Sequence, residues 1–294
     1  MERTKGAQYR ELGAVLKDRR EQAGLTVAKL APLMGFSTAK LSRIETGQTV
    51  IDVVDAVTYL GHCGLYRADV MDILALCREA ERRLGYWLSP HGEWVEDSLN
   101  SLIYNEVTAV ESTMYEPLLV HGLLQTADYA RILIERPQWR DRDGVDQGVR
   151  IRLLRQKILD ARHPAKFGFF LHEQALRLEV GGSAIMHEQM LKLLLVGALD
   201  HVMIRVVPTG SAFGGAFTVF EYKHCPPLVY LDTYRTGLFL EDKEFVDPFR
   251  ELVSVISEVA LDEGQSRELI AALAGKYDLR SARDADDRLE EEQL

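Results

Sequence analysis

Apolar positions recur at three- and four-residue spacing along the first 77 residues, and five helices follow from that spacing. Residues 9–22 put Leu12, Val15 and Leu16 on one helical face. Thr26 stands at a cap position for a helix over 27–34 that turns Leu30, Ala31 and Met34 inward. Gly35 follows the last apolar position, where a helix stop is expected. Ser37 caps a second short helix over 38–46, with Leu41 and Ile44 inward, and Gly47 ends it. Pro32 lies inside the first of this pair and removes a bond to the Ala28 carbonyl, so that helix is expected to be bent or short. Val53, Val54, Val57 and Leu60 form a fourth stripe and Val70, Ile73, Leu74 and Cys77 a fifth, with a break at 61–65.

The pattern changes beyond residue 77. Residues 78–95 read as a connector: a charged helix end, then Gly85, Pro90 and Gly92, with Trp87 and Trp94 packing it onto a domain. A second unit spans 96–279, with helical spacing over 99–113, after Thr126, and over 149–161, where Arg150, Arg152, Arg155 and Lys157 cluster. These cations could bind anions, and pairing with the surplus carboxylates is the favoured reading. Residues 167–172 have strand character, 185–199 form an apolar, buried helix, and 202–207, 216–222 and 228–233 are β-rich runs. Short Gly, Ser and Pro connections predict an antiparallel meander, with 210–215 (GSAFGG) as a hairpin loop. Residues 244–261 are amphipathic, and Ser266 caps a last helix to Gly275. The acidic residues 280–294 are expected to be disordered.

Charge is divided between these units. The chain carries −10 overall, yet residues 1–50 hold nine Lys and Arg against five Asp and Glu, a balance of +4, and the rest holds 26 against 40, a balance of −14. A basic head on an acidic body suits a nucleic-acid partner for the head and a protein partner for the body. Cys63, Cys77 and Cys225 are scattered, without a CxxC pair, which argues against structural zinc and a disulfide framework. No apolar run approaches the length of a membrane span and no leader pattern opens the chain, so a cytoplasmic protein is expected.

Two short helices across a glycine turn are a helix-turn-helix unit. The second turns Thr38, Lys40 and Arg43 outward, donors and cations suited to base edges and phosphates. Residues 25–47 resemble the Xre/Cro-type repressors through Leu30-Ala31, Gly35 and Ser42-Arg43-Ile44-Glu45-Thr46-Gly47. The resemblance implies a DNA face of Thr26, Lys29, Ser37, Thr38, Lys40, Arg43 and Gln48. It also implies an Arg20–Glu45 pair that locks the first helix to the recognition helix, with Gly35 at the turn. Val27 stands where that family often has Gln, and Lys29 replaces the Glu of a capping box, which removes two of its usual features. The second unit is similar to the long C-terminal domain of a group of actinobacterial Xre-type regulators. The likeness rests on HGLLQTADYAR, RIRLLRQ, HEQALRLEVGG, MHEQMLKLL and VMIRVVPTG in that order, and the group usually has Pro where this chain has His121. Many of that group are paired with a small partner protein encoded beside them.

No catalytic set accompanies these motifs. His187-Glu188 opens like a zincin motif, but Leu191 stands where the second His is required. His172-Glu173 lacks a companion nucleophile and reads as a helix cap. GSAFGG lacks the Lys-Ser/Thr of a phosphate loop.

The expected fold class is therefore α+β, mainly α. It joins a five-helix Cro/C1-type head over 1–77 to a larger domain of helices and a small antiparallel sheet. The expected function is a sequence-specific transcriptional regulator, not an enzyme, without cofactor or metal. It would bind double-stranded DNA at an inverted repeat as a homodimer, with a small partner protein received by the C-terminal domain. The alternatives are an antitoxin role in a toxin–antitoxin pair and a regulator that senses a small molecule.

Overall fold

A computed structural model describes residues 7–65, 67–82, 86–89, 95–136, 142–161, 164–211, 213–232 and 237–291. Trp94 lies outside the described residues, and the packing expected of Trp87 rests on a side chain that is not described.

The N-terminal unit comprises α1 (Ala7–Gln22), α2 (Val27–Leu33), α3 (Thr38–Glu45), α4 (Val53–His62) and α5 (Arg67–Arg82). Local chemistry sets their ends. Thr26 Oγ1 accepts from the Lys29 amide at 3.3 Å, Ser37 Oγ from Lys40 at 3.1 Å and an Asp52 carboxylate oxygen from Asp55 at 2.8 Å. Gly35 and Gly47 follow α2 and α3 at φ +65° and +66°, which side-chain-bearing residues rarely adopt. With Pro32 inside it, α2 is only seven residues long. Leu12, Leu16, Leu30, Leu41, Ile44 and Tyr59 form the core. In α4 the expected stripe is out of phase: Ala56, Tyr59 and Leu60 are buried, whereas Val54 is 73% exposed and Val57 43% exposed. A tyrosine with a partner for its hydroxyl displaces valines from the inner face.

The second unit is built on a seven-stranded mixed sheet. Its strands are β1 (Tyr86–Ser89), β2 (Glu111–Glu116), β3 (Lys166–His172), β4 (Val202–Val207), β5 (Phe217–Glu221), β6 (Leu228–Asp232) and β7 (Gly237–Leu240), in spatial order β1-β7-β6-β5-β2-β3-β4. Its helices are α6 (Val95–Thr108), α7 (Ala127–Glu135), α8 (Arg142–Arg155), α9 (Glu173–Arg177), α10 (Ser183–Val196), α11 (Lys243–Val259) and α12 (Glu263–Glu291).

The mainly helical α+β class holds, and several sequence expectations are corrected. The sheet is mixed, not antiparallel: β2, β3 and β4 run parallel because helices connect them, while β5, β6, β7 and β1 pair antiparallel. β4 lies at the far edge, so 210–215 is a crossover from β4 to β5, not a hairpin loop. The helix expected over 99–113 stops at Thr108, and β2 takes the positions after it. The connector supplies β1, an aromatic strand paired with β7. Ser266 does not cap α12; Asp262 accepts from the Gln265 amide at 2.8 Å, and Ser266 Oγ accepts from Val206 at the β4 edge. The acidic tail is helical as far as Glu291.

Side chains alternate across the sheet. On one face Met114, Phe169 and Val206 pack with Met190 of α10 and Tyr277 of α12. On the same face, over the antiparallel half, Phe220, Tyr230 and Phe239 pack with Leu102 of α6 and Ala7 of α1. The opposite face carries Tyr115, Phe170 and Phe217 against α11.

Candidate nucleic-acid interface

Of the seven residues assigned to the DNA face, Thr26, Lys29, Ser37, Thr38, Arg43 and Gln48 are exposed and Lys40 is half-buried. They lie at the N-terminal ends of α2 and α3, on the outer side of α3, and just beyond its end. Both N-terminal ends present amide donors and the positive end of a helix dipole, which favours phosphate. The side chains of Thr26 and Ser37 are occupied as caps, so they offer backbone geometry more than free hydroxyls. Lys40 stacks its ammonium 3.3 Å above the Phe36 ring, which holds a flexible cation at the head of α3. Arg43 sits in the last turn of α3, and its carbonyl accepts from the Gln48 amide at 2.6 Å, so the segment after Gly47 is tied to the helix.

The back of α3 is fixed by a buried polar group. Arg20 donates from Nε to Glu45 Oε1 at 2.7 Å and from Nη2 to Oε2 at 2.9 Å, a bidentate pair, and its Nη1 reaches the Leu25 carbonyl at 2.7 Å. The Tyr59 hydroxyl lies 2.7 Å from Glu45 Oε1 and 3.0 Å from the Leu16 carbonyl. Hydrogen bonding to Glu45 raises the Arg20 guanidinium above its ordinary value, and burial raises the Tyr59 phenol. Arg20 therefore keeps its charge over the whole physiological range. Gly13 completes the contact: a Cβ there would strike the carbonyl oxygens of Ile44 and Glu45. Gly35 stands at the turn between α2 and α3 with open space around it. Tyr59 and Gly13 escaped the sequence reading. The available signals were a glycine beside Leu12 on an apolar helical face, where it costs stability unless a backbone comes close, and a tyrosine three places after Ala56.

A second gathering of polar groups lies in the C-terminal unit. Gln156 donates to the Gly122 and Gln125 carbonyls, both at 2.9 Å, and Lys192 to the Gln125 carbonyl at 2.9 Å. Arg152 donates to Gln125 Oε1 at 2.7 Å, and Arg155 faces Glu106 at 2.9 Å. Two of the four clustered cations thus meet partners within the unit. Burial and the neighbouring Asp232 push the Glu116 carboxyl up to about 8, while burial drives the His121 imidazole well down. His121 accepts from the Leu123 amide, so it serves the turn that proline would otherwise set. His172 likewise caps α9, Glu173 holds the Thr209 amide and hydroxyl, and His187 bonds the Ala274 carbonyl. Among the described residues no group of three or more His, Cys, Asp or Glu is placed to hold a metal ion. No described helix is long and apolar enough to cross a membrane.

Residues 99–272 match the family described as a domain of unknown function, DUF5753. This chain belongs to the DUF5753 family. Residues 11–78 of this DUF5753 protein match a helix-turn-helix domain, so the chain is a helix-turn-helix regulator with a larger domain of unknown function. No curated protein matches it. Among solved structures, one described as "Structure of TrmBL2, an archaeal chromatin protein, shows a novel mode of DNA binding" aligns over 81% of this chain and 88% of its own, with 12% identity and a TM-score of 0.30. A likeness at that score carries no argument about function.

Proposed function

We propose that this DUF5753 protein is a dimeric Xre/Cro-type transcriptional regulator, similar to those of actinobacteria, that acts in the cytoplasm without catalysis, metal or cofactor. Each head reads one half of an inverted repeat with the N-terminal part of α3, and the C-terminal domain receives a small partner protein. One observation carries the DNA reading: Thr38 and Arg43 are exposed and Lys40 is stacked on Phe36 on the outer side of a helix whose back is bolted by Arg20–Glu45–Tyr59. That combination gives a rigid helix with donors on its free side, which the major groove accepts. The balance of −14 beyond residue 50 disfavours nucleic acid on the body and suits a basic or mixed-charge protein there.

The test is selection of duplexes from a random pool by the full-length protein, followed by footprinting. The expected result is an inverted repeat whose half-sites are about 34 Å apart or a multiple of that. Recovery of no common sequence, or footprints of one half-site with monomer alone in sedimentation, contradicts it. Titration of the neighbouring small protein into the same complex tests the receiver assignment. A shift of DNA affinity must be mirrored by an equal shift of partner affinity when DNA is present.

A further inference from the structure

The two units meet at the N-terminal half of α1, and that contact is built. The Ala7 amide donates to a Glu241 carboxylate oxygen at 2.6 Å, just beyond β7. The Ala7 methyl is buried with Leu102, Phe220 and Tyr230. Ser101 of α6 donates to Glu11, and the Tyr104 hydroxyl donates to the Arg10 carbonyl at 3.1 Å. The Arg10 guanidinium lies 3.8 Å from the centroid of the Tyr222 ring, just after β5, and the Tyr222 hydroxyl donates to Asn105 of α6 at 2.6 Å. Arg10 therefore touches α6 and the β5 end of the sheet at once.

Its Cα and amide nitrogen face α3. A Cβ on Gly47 would sit 2.5 Å from Arg10 Cα and 2.7 Å from its amide nitrogen, so the residue that ends the recognition helix rests directly on Arg10. One turn further along α1, Gly13 rests on the Ile44 and Glu45 carbonyls, and two turns beyond that Arg20 grips Glu45. α1 is thus in contact with the C-terminal unit at its start and with α3 along the remainder.

We propose that Arg10 is a positioning residue for the recognition helix, and that the α1–α6–Tyr222 junction transmits the state of the C-terminal domain to α3. This rests on the reading of α3 as the DNA-reading helix. Two features make the junction a switch point and not merely a seam. Arg10 Nε and Glu11 Oε2 are buried there without a hydrogen-bond partner among the described residues, a polar cost that opening the contact relieves. Burial also raises the carboxyl groups of Glu11 and Glu241, the cost of holding acids at a covered surface. The contact also leaves the outer side of α3 free: Thr38 and Arg43 remain exposed while α1 is held. The held state is therefore the one that reads DNA, and release of α1 loosens the support under Gly47.

The experiment compares the full-length protein with Tyr222→Leu, which removes the ring beneath Arg10, and Tyr222→Phe, which keeps the ring and loses only the hydroxyl. Amide hydrogen exchange is read at α1, α3, α6 and, as a fold control, β2 to β4. Affinity is read on the duplex selected by the wild type. Tyr222→Leu is expected to speed exchange in the first half of α1 and at 44–49, to leave β2 to β4 at wild-type rates, and to weaken DNA binding about tenfold. Tyr222→Phe is expected to restore most of both. Faster exchange confined to α6 and β5, or a DNA affinity for Tyr222→Leu equal to or above wild type, overturns the proposal. If the wild type selects no duplex, the DNA reading of α3 fails, and the exchange arm still reports whether the junction supports α3.

Discussion

At the scale of single residues, the head depends on a small set of buried polar atoms. Arg20 and Glu45 are each 6% exposed, so removing one partner strands a charge in the core. Glu45→Ala is expected to destabilise the protein by about 3–5 kcal/mol in urea unfolding, against about 1–3 kcal/mol for Tyr59→Phe, which leaves Glu45 its arginine. Equal, small losses for both would mean that the pair is dispensable. Glu116 supplies a pH test. Its carboxyl is raised from 4.5 to about 8, so the folded state holds a proton that the unfolded chain releases. That stability is fully present below pH 4.5 and is lost as pH rises through about 8. Glu116→Gln is expected to flatten the pH dependence of the unfolding midpoint in that window and to raise the midpoint at pH 8; an unchanged slope contradicts the assignment. Of these residues, Arg20 and Glu45 were legible in the sequence because the helix-turn-helix pattern implies them. Glu116 was not, since nothing local marks a carboxylate that tertiary packing brings against Asp232.

At the scale of elements, what the sequence revealed follows from how local each determinant is. The caps at Thr26 and Ser37, the glycine stops at Gly35 and Gly47 and the short α2 are decided within a few residues, and all could be read. The phase of α4 could not, because Tyr59 is drawn inward by Leu16 and Glu45, more than a dozen positions away. Four of the seven strands, β3 to β6, were legible as β-rich runs, whereas β1, β2, β7 and the strand order were not. Strand partners in a mixed sheet are chosen by crossover helices, and β4 pairs with β3 because α9 and α10 carry the chain across. The tail misled for another reason: a polar segment with good helix formers extends a helix already nucleated by a packed first half. Ser37→Ala tests the local reading. It removes the cap at the head of α3 and is expected to cost about 1 kcal/mol in unfolding, with α3 amides exchanging faster before others change. Uniform exchange throughout the head would contradict a cap-limited helix end.

At the scale of the whole molecule, the basic head and acidic body are physically joined through α1, so the regulator is better described as a head held by a body than as two domains on a tether. The apolar positions of the helices expected over 185–199 and 244–261 are largely committed to the core. Met186, Met190 and Leu193 of α10 and Val246 and Ile256 of α11 are buried, which leaves Leu191, Leu195, Val255 and Val259 as the exposed apolar remainder, with Leu195 at 73% exposure. The proposed role of α3 is to read DNA. Its most direct test is the affinity of full-length wild type, Lys40→Ala and Arg43→Ala for the selected duplex and for single-base variants of it. A base-reading side chain is expected to cost about 1–3 kcal/mol when replaced by alanine and to relax selectivity at one position, whereas a phosphate contact lowers affinity evenly and reduces the salt slope by about one. Wild-type affinity and selectivity in both variants would contradict the account.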